Sequence, residues 1–461
     1  MSAVLGRDNE DLSGKGSCRG ALKPIAQGEA SRTLAFDADG LVALDRFLGH
    51  VRAVAALLPE GRHAINLCED RYRFMVTLCA AAVRHQVSLL PPSRTPAVVA
   101  GVHASYPDSY CVSDGQALGI SGIPSWTLPA ALPECDGAMP CVDDDALAVV
   151  GFTSGSTGVP VPNPKTWRSF RASTAQNLAA LRDLWPQHEI AHVVATVPPQ
   201  HMYGMELSVL LPLFAPAAVH AARPLFPHDV ADALLQAPGY RLLVTTPVHL
   251  RALVESGVTL PALAGIVSAT APLTTELAAA AEASFGCEVR EMFGSTETCV
   301  IATRRTARDT AWSPLPGVAV IPQPDGALVR AEHLAAPVKL ADLVEVLGDG
   351  RFELRGRNAD LLEIAGKRAS LGDLTRKLQA IPGVVDGVVF QLDAQVGGVR
   401  RIAALAVAPT LDETQILAAL REAVDPAFLP RPLRCVDALP RNETGKLPRD
   451  ALLALLRGNM R

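Results

Sequence analysis

Phe152-Thr-Ser-Gly-Ser-Thr-Gly-Val-Pro-Val-Pro-Asn-Pro-Lys165 is the stretch that decides how this chain is read. It follows an apolar run, Ala146-Leu-Ala-Val-Val-Gly-Phe152, with the character of a buried strand. It precedes Thr166 to Trp185, whose length and spacing predict a helix beginning just after Lys165. The loop between them is rich in bare backbone: Gly151, Gly155 and Gly158 let the main chain turn and approach an anion with no Cβ in the way. Its amide N–H groups and the hydroxyls of Thr153, Ser154, Ser156 and Thr157 are left to donate. Each hydrogen bond to a charged acceptor contributes about 1.5–3 kcal/mol, so four or five would hold a triphosphate firmly. A plain Ser/Gly surface loop has the same composition, but the order of the residues favours phosphate. The Walker A pattern, with lysine directly after its second glycine, is not met here. Nor is it met at Gly445-Lys446, which lacks the upstream glycine and the following hydroxyl.

Further segments add chemistry in a fixed order along the chain. Ser268-Ala-Thr-Ala-Pro272 and Phe293-Gly-Ser-Thr-Glu297 follow predicted strands, Asp342 precedes Arg357 by 15 positions, and Pro440-Arg-Asn-Glu-Thr-Gly-Lys446 lies near the end. Taken singly, Asp342 and Arg357 read as solvated surface charges and Lys446 as a lysine in a turn. As an ordered set with Thr153 to Lys165 they resemble the adenylate-forming superfamily of acyl- and aryl-CoA synthetases, peptide-synthetase adenylation domains and luciferases. The family's phosphate loop usually reads Thr-Ser-Gly-Ser/Thr-Thr-Gly-x-Pro-Lys, whereas here Val161, Pro162, Asn163 and Pro164 intervene before the lysine.

The resemblance implies ATP and Mg²⁺ as cofactors and assigns residues to them. Thr153, Ser154, Gly155, Ser156, Thr157, Gly158 and Lys165 would surround the phosphates. Ala269, Thr270 and Ala271 would line the base and acyl pocket. Phe293 and Gly294 would meet adenine, Thr296 a phosphate, and Glu297 the metal ion, which as a hard cation takes a carboxylate with phosphate oxygens. Asp342 and Arg357 would grip the ribose hydroxyls, and Lys446 would reach the carboxylate and α-phosphate during adenylation. Gly366 resembles the glycine beside an incoming pantetheine arm, although Lys367 stands where glutamate is more common. The family's hinge aligns with Ala359, where aspartate or lysine is usual; Asp360 follows.

For the acyl group, Pro198-Pro-Gln-His201-Met-Tyr-Gly204 resembles the motif that borders the substrate carboxylate. A buried core histidine is the other reading of His201. Amino-acid-activating domains place an aspartate here, and none occurs from Pro198 to Leu211. The short chain and the extra Pro/Asn residues are similar to the compact ligases of aryl-polyene pathways. That likeness implies an aryl acid such as 4-hydroxybenzoate and an acyl carrier protein, or CoA, as thiol acceptor. Two other classes stay open: a nucleotide-binding scaffold that has lost its chemistry, and a phosphotransferase, which would release ADP and for which no kinase motif is present.

Composition fits an ordinary enzyme. The 461 residues are 49% apolar, enough for at least two cored domains, and the net charge of −5 offers no basic stripe for nucleic acid. Nine scattered cysteines without Cys-x-x-Cys spacing read as reduced thiols. No leader-like or membrane-spanning run is seen, so a cytoplasmic location is expected. Alternating apolar runs and helical segments, such as Ala64 to Leu67, Tyr72 to His85 and Val87 to Leu90, predict an α/β fold with helices over parallel sheets. The expected division is a poorly ordered segment 1–30, an adenylation core 31–357 of parallel sheets plus a small β-barrel part, and a mobile α+β domain 358–461. Pro382 to Phe390, Arg401 to Val407 and the helix Glu413 to Val424 belong to the last.

Overall fold

The computed structural model describes residues 22–115, 120, 122–154, 160–357, 361–364, 367–392, 401–442 and 445–458. Its largest sheet has nine strands, with Gly265–Ser268, Tyr240–Thr245, Ala191–Ala195 and Ala217–His220 in mid-sheet. Neighbours from Val289–Ser295 across to Thr33–Asp37 run parallel. The reason is visible in the side chains, because both faces are buried. Val193, Leu242, Val244 and Val267 enter one apolar cluster, while Val194, Leu243 and Ile266 enter another on the opposite face. Strands covered on both sides read as continuous apolar runs, and the helices that connect them supply the cover. Those helices are capped locally: Thr246 accepts from His249 N, Thr274 accepts from Leu277 N, and Gly257 and Gly286 end their helices in the left-handed conformation.

A second sheet of six strands runs in the order Pro160–Thr166, Leu147–Ser154, Val87–Leu90, His63–Asn66, Ser109–Ser113, Ser125–Thr127. Here the structure departs from the expected strand-to-helix loop. Residues 160–166 form an edge strand antiparallel to Leu147–Ser154, with Val161 opposite Thr153 and Lys165 opposite Val149. Pro160, Pro162 and Pro164 alternate, so their missing N–H groups all lie on one side of the strand, and an edge position tolerates that. The helix Trp167–Leu181 follows, capped by Thr166.

Residues 22–30, expected to lie in a poorly ordered segment, belong to the fold. Leu22–Pro24 pairs with Cys141–Asp143, and Ile25 is fully buried in the main core. Apolar burial of Ile25 and Ala26 outweighs the polar composition of their surroundings.

Small antiparallel sheets, Ala319–Gln323 with Gly326–Arg330 and Val338–Leu340, and Asp342–Val346 with Phe352–Arg357, complete the large domain. The small C-terminal domain is the sheet Asp386–Gln391, Ile402–Val407, Leu433–Cys435, packed by helices Leu371–Gln379, Glu413–Ala423 and Arg449–Gly458. No helix among the described residues is long and apolar enough to cross a membrane. The eight cysteines among them are free thiols.

Candidate active site

Three of the motifs meet at Gly151, in the strand that leads to the glycine loop. A methyl group there would stand 3.3 Å from Thr296 Cγ2 and 3.6 Å from the Met202 terminal methyl. The phosphate-loop strand, the Thr296-Glu297 turn and the His201 segment are therefore packed on one another. Thr153 is half-buried at the end of its strand. Gly155, Ser156, Thr157, Gly158 and Gly366 lie outside the described residues, as do Ala359 and Asp360. For Ser154 and Arg357 the backbone alone is described.

The Phe293 to Glu297 motif is one side of a tight hairpin. Ser295 pairs with Cys299, Ser295 N donates to Thr298 Oγ1 at 3.0 Å, and Thr298 N donates to Ser295 Oγ at 3.2 Å. Gly294 is obligatory for this closure, since a Cβ there would fall 2.1 Å from the Cys299 carbonyl oxygen. Thr296 and Glu297, both half-buried, sit at the hairpin tip. Phe293 packs against Trp312 and Phe352, with ring centroids 5.3 and 6.2 Å away.

Lys165 braces this tip. It is only 6% exposed, and its Nζ donates to the Glu297 main-chain oxygen at 2.6 Å. The hairpin register explains the position: Lys165 is five residues beyond Pro160, about 17 Å along an extended strand. Beneath the same turn, Glu206 is 1% exposed and accepts from Asn177 Nδ2 at 3.0 Å, from Val300 N at 3.0 Å and from the Ser173 hydroxyl. Burial raises its pKa, those donors and the Lys165 charge oppose the shift, and the donors together suit an ionised carboxylate. His333 Nε2 faces the Thr298 carbonyl at 2.7 Å, so that nitrogen carries the proton. Burial, only partly opposed by that bond, lowers the His333 pKa.

Ala269, Thr270 and Ala271 follow the strand Gly265–Ser268 at the carboxyl edge of the large sheet. Thr270 adopts φ +80°, a strained value for a β-branched residue. The loop is pinned by Glu291, which accepts from Leu273 N at 3.0 Å, Arg304 Nε at 2.8 Å and Thr306 Oγ1 at 2.7 Å. Asp342 and Arg357 are direct cross-strand partners, although 15 positions apart in sequence. Their hairpin is joined to the Phe293 side by reciprocal main-chain bonds between Trp312 and Phe352, at 2.7 and 3.0 Å.

His201 is half-buried ahead of a short helix, Met202–Met205, that continues as a π-helical turn at Glu206–Leu210. The segment folds back on itself, because a Cβ on Gly204 would fall 2.0 Å from the Pro198 oxygen. Tyr203 Oη donates to the Val267 carbonyl at 2.9 Å, tying the segment to the strand before Thr270.

Lys446 is exposed on a preformed turn of the small domain. Lys446 N donates to Asn442 Oδ1 at 2.9 Å, and Arg441 makes a bidentate pair with Asp386, Nη2 to Oδ1 at 2.8 Å and Nε to Oδ2 at 3.1 Å, while also donating to the Gly445 carbonyl. Gly445 packs toward Val248, at the start of helix Pro247–Ser256, with 3.4 Å between its would-be Cβ and the Val248 methyl. The turn thus docks beside the carboxyl end of Tyr240–Thr245, the edge on which open α/β sheets receive ligands.

A sequence model described as AMP-binding enzyme matches residues 57–332. The chain belongs to that family. It is 32% identical over 298 residues to a 4-coumarate–CoA ligase of Rhodobacter capsulatus, spanning 64% of this chain and 73% of that one. It is 24% identical over 358 residues to enterobactin synthase component E of Escherichia coli, spanning 67% and 64%. Among solved structures, ATP-bound MatB of Rhodopseudomonas palustris superposes with TM-score 0.80 at 19% identity, over 94% of this chain and 98% of that one. MenE, the o-succinylbenzoate CoA synthetase of Bacillus subtilis held with its acyl-adenylate, gives 0.77 at 17%, over 94% and 98%. At these identities the superpositions establish the fold. Adenylation of an acid with ATP followed by thioester formation is typical of the family's ligases, and general ligase activity follows for this chain.

Sequence reading had not singled out Arg71, Glu206, Glu291 or His333. Only Glu206 carried a signal, as one carboxylate inside the apolar run Met205 to Phe214.

Proposed function

We propose that this AMP-binding enzyme joins an aryl carboxylic acid, of the 4-hydroxybenzoate type, to a pantetheine thiol on an acyl carrier protein or CoA, with AMP and pyrophosphate as products. In the first step a carboxylate oxygen attacks the α-phosphorus of ATP, and the bond to the β-phosphate oxygen breaks. In the second the thiol sulfur attacks the acyl carbon, AMP leaves, and the thiol proton passes to solvent. The packing of Gly151 against both Thr296 and Met202 carries the reading, because it supports one site for phosphate and acid together.

Within it, Thr153, Ser154 and the glycine loop would surround the phosphates, Phe293 would meet the base, and Asp342 and Arg357 the ribose. His201 borders the acid, and Lys446 stabilises charge gathering on the α-phosphate; loss of such a donor typically costs about 10²–10³ in rate. Glu297 fits a Mg²⁺ ion, since it is a carboxylate at a hairpin tip whose carbonyl the Lys165 ammonium already braces. The ion would offset charge on the departing pyrophosphate. Positioning and charge neutralisation suffice for this chemistry, so no protein nucleophile is required. The bond broken in ATP and the acceptor are both read by one assay: acid-dependent pyrophosphate release across aryl, short-chain and long-chain acids, with CoA or holo acyl carrier protein added separately. Release with aryl acids, accelerated by one thiol, is expected. Release with short-chain or long-chain acids alone would overturn the aryl assignment.

A further inference from the structure

Arg71 is fully buried at the first turn of helix Arg71–Val83, and the roles above leave it without a task. Its Nη2 donates to the carbonyls of Ala195 and Val197, each at 2.9 Å. Its Nη1 donates to the Ser208 hydroxyl, which in turn donates to the Gly204 carbonyl at 2.5 Å. Residues 195–197 lead into the His201 segment and residues 204–208 lead out of it. One side chain therefore holds both ends of that segment, and its own main-chain N–H, bonded to Ala221 O at 2.7 Å, fixes it to the next strand of the sheet.

The choice of arginine is informative. Burial pushes its pKa down to about 9, and its Nε is buried with no hydrogen-bond partner among the described residues. A residue needed only to fill this space would be apolar, because burying a charge against neutral oxygens is costly. What an apolar or lysine side chain lacks is the planar fork that reaches three acceptors in fixed directions.

We propose that Arg71 is a positioning residue for acid recognition: by clamping residues 195–197 to Ser208 and Gly204, it fixes where His201 stands and so sets which acids are accepted. This rests on the reading that His201 borders the acid. The role is separable from ATP binding, since its side-chain bonds among the described residues go to the acid segment and none goes to the Ser295–Cys299 hairpin.

The test uses the full chain with Arg71→Lys, Arg71→Met and the milder Ser208→Ala. Each is measured for thermal unfolding, ATP binding by calorimetry, and kcat and KM of acid-dependent pyrophosphate release over the acid panel. Arg71→Lys should keep ATP affinity within about twofold while kcat/KM for the preferred acid falls about 10- to 100-fold, as for a displacement near 1 Å, and preference among acids flattens. Ser208→Ala should move the same parameters in the same direction by a smaller factor, and it stands in if the arginine variants do not fold. Unchanged acid kcat/KM and preference in a folded variant would overturn the proposal. So would parallel loss of ATP binding, which marks a general structural role. A wild-type chain silent over the whole panel would remove the parent reading, and this proposal with it.

Discussion

Replacing Gly294 with alanine tests whether the Thr296-Glu297 hairpin is the rigid element on which catalysis depends. The new Cβ would lie 2.1 Å from the Cys299 oxygen and 2.8 Å from both Cys299 C and Val300 Cα, all main-chain atoms. Contact distances above 3 Å are reached only if the two strands part by about 1 Å, and overpacking of this kind typically costs 1–3 kcal/mol. The same movement stretches the Ser295–Thr298 bonds, now 3.0 to 3.2 Å. Losing one or two of them adds about 1–2 kcal/mol. The expected destabilisation is therefore about 2–5 kcal/mol, a large part of the 5–15 kcal/mol that typically holds a protein folded. In whatever fraction stays folded, a shift of about 1 Å at a positioning element costs about 10²-fold in rate. Chemical denaturation and MgATP-dependent pyrophosphate release measure the two effects. Gly101→Ala is the control, because a Cβ at that exposed helical position meets nothing within 4 Å and should stabilise by about 0.5–1 kcal/mol. A Gly294→Ala protein with wild-type stability and MgATP kinetics would show that catalysis does not depend on a rigid Thr296-Glu297 hairpin.

Lys165→Met removes the ammonium from the Glu297 carbonyl and leaves the buried Glu206 carboxylate without that nearby charge. A charge-assisted bond contributes about 1.5–3 kcal/mol, so the MgATP requirement should rise about 10-fold or more while acid KM holds, as read by steady-state kinetics. Arg441→Ala frees the Lys446 turn from Asp386 and the Gly445 carbonyl, and pyrophosphate release should fall about 10-fold with ATP affinity, measured by calorimetry, unchanged. Burial, with Arg241 adding to it, lowers the His192 pKa from its ordinary 6.5 to about 4. The folded state therefore binds fewer protons than the unfolded one between those values. Stability should be full above pH 6.5 and fall as pH drops toward 4, by about 2–3 kcal/mol from this group. His192→Phe, packed on Phe36 like the native ring, should lose that component in denaturation curves across the window.

What the sequence made legible was what periodicity and order encode. Val87–Leu90 occupies the very residues expected of it, since it is a short apolar run bounded by polar or turn residues. The predicted helix over Tyr72 to His85 forms at Arg71–Val83, with Asp70 capping its start. The Asp342 and Arg357 pairing was implied by motif order, and the hairpin supplies the geometry. Pro160–Thr166 was missed because three prolines suppress a strand reading, and their tolerance depends on an edge that only the tertiary fold reveals. For the same reason Lys165 looked like a loop residue, whereas register carries it under Glu297. Arg71 and His333 act on main-chain carbonyls distant in sequence, which leaves no local pattern to read.

Acid adenylation at one assembled site is read directly from its products. The direct measurement is identification of the nucleotide and phosphate products from MgATP and an aryl acid, with wild-type and Lys446→Ala protein compared. AMP and pyrophosphate formed only when acid is present, and slowed about 10²–10³-fold in the variant, is the predicted result. ADP as product, or no turnover from a chain that still binds ATP, would contradict it.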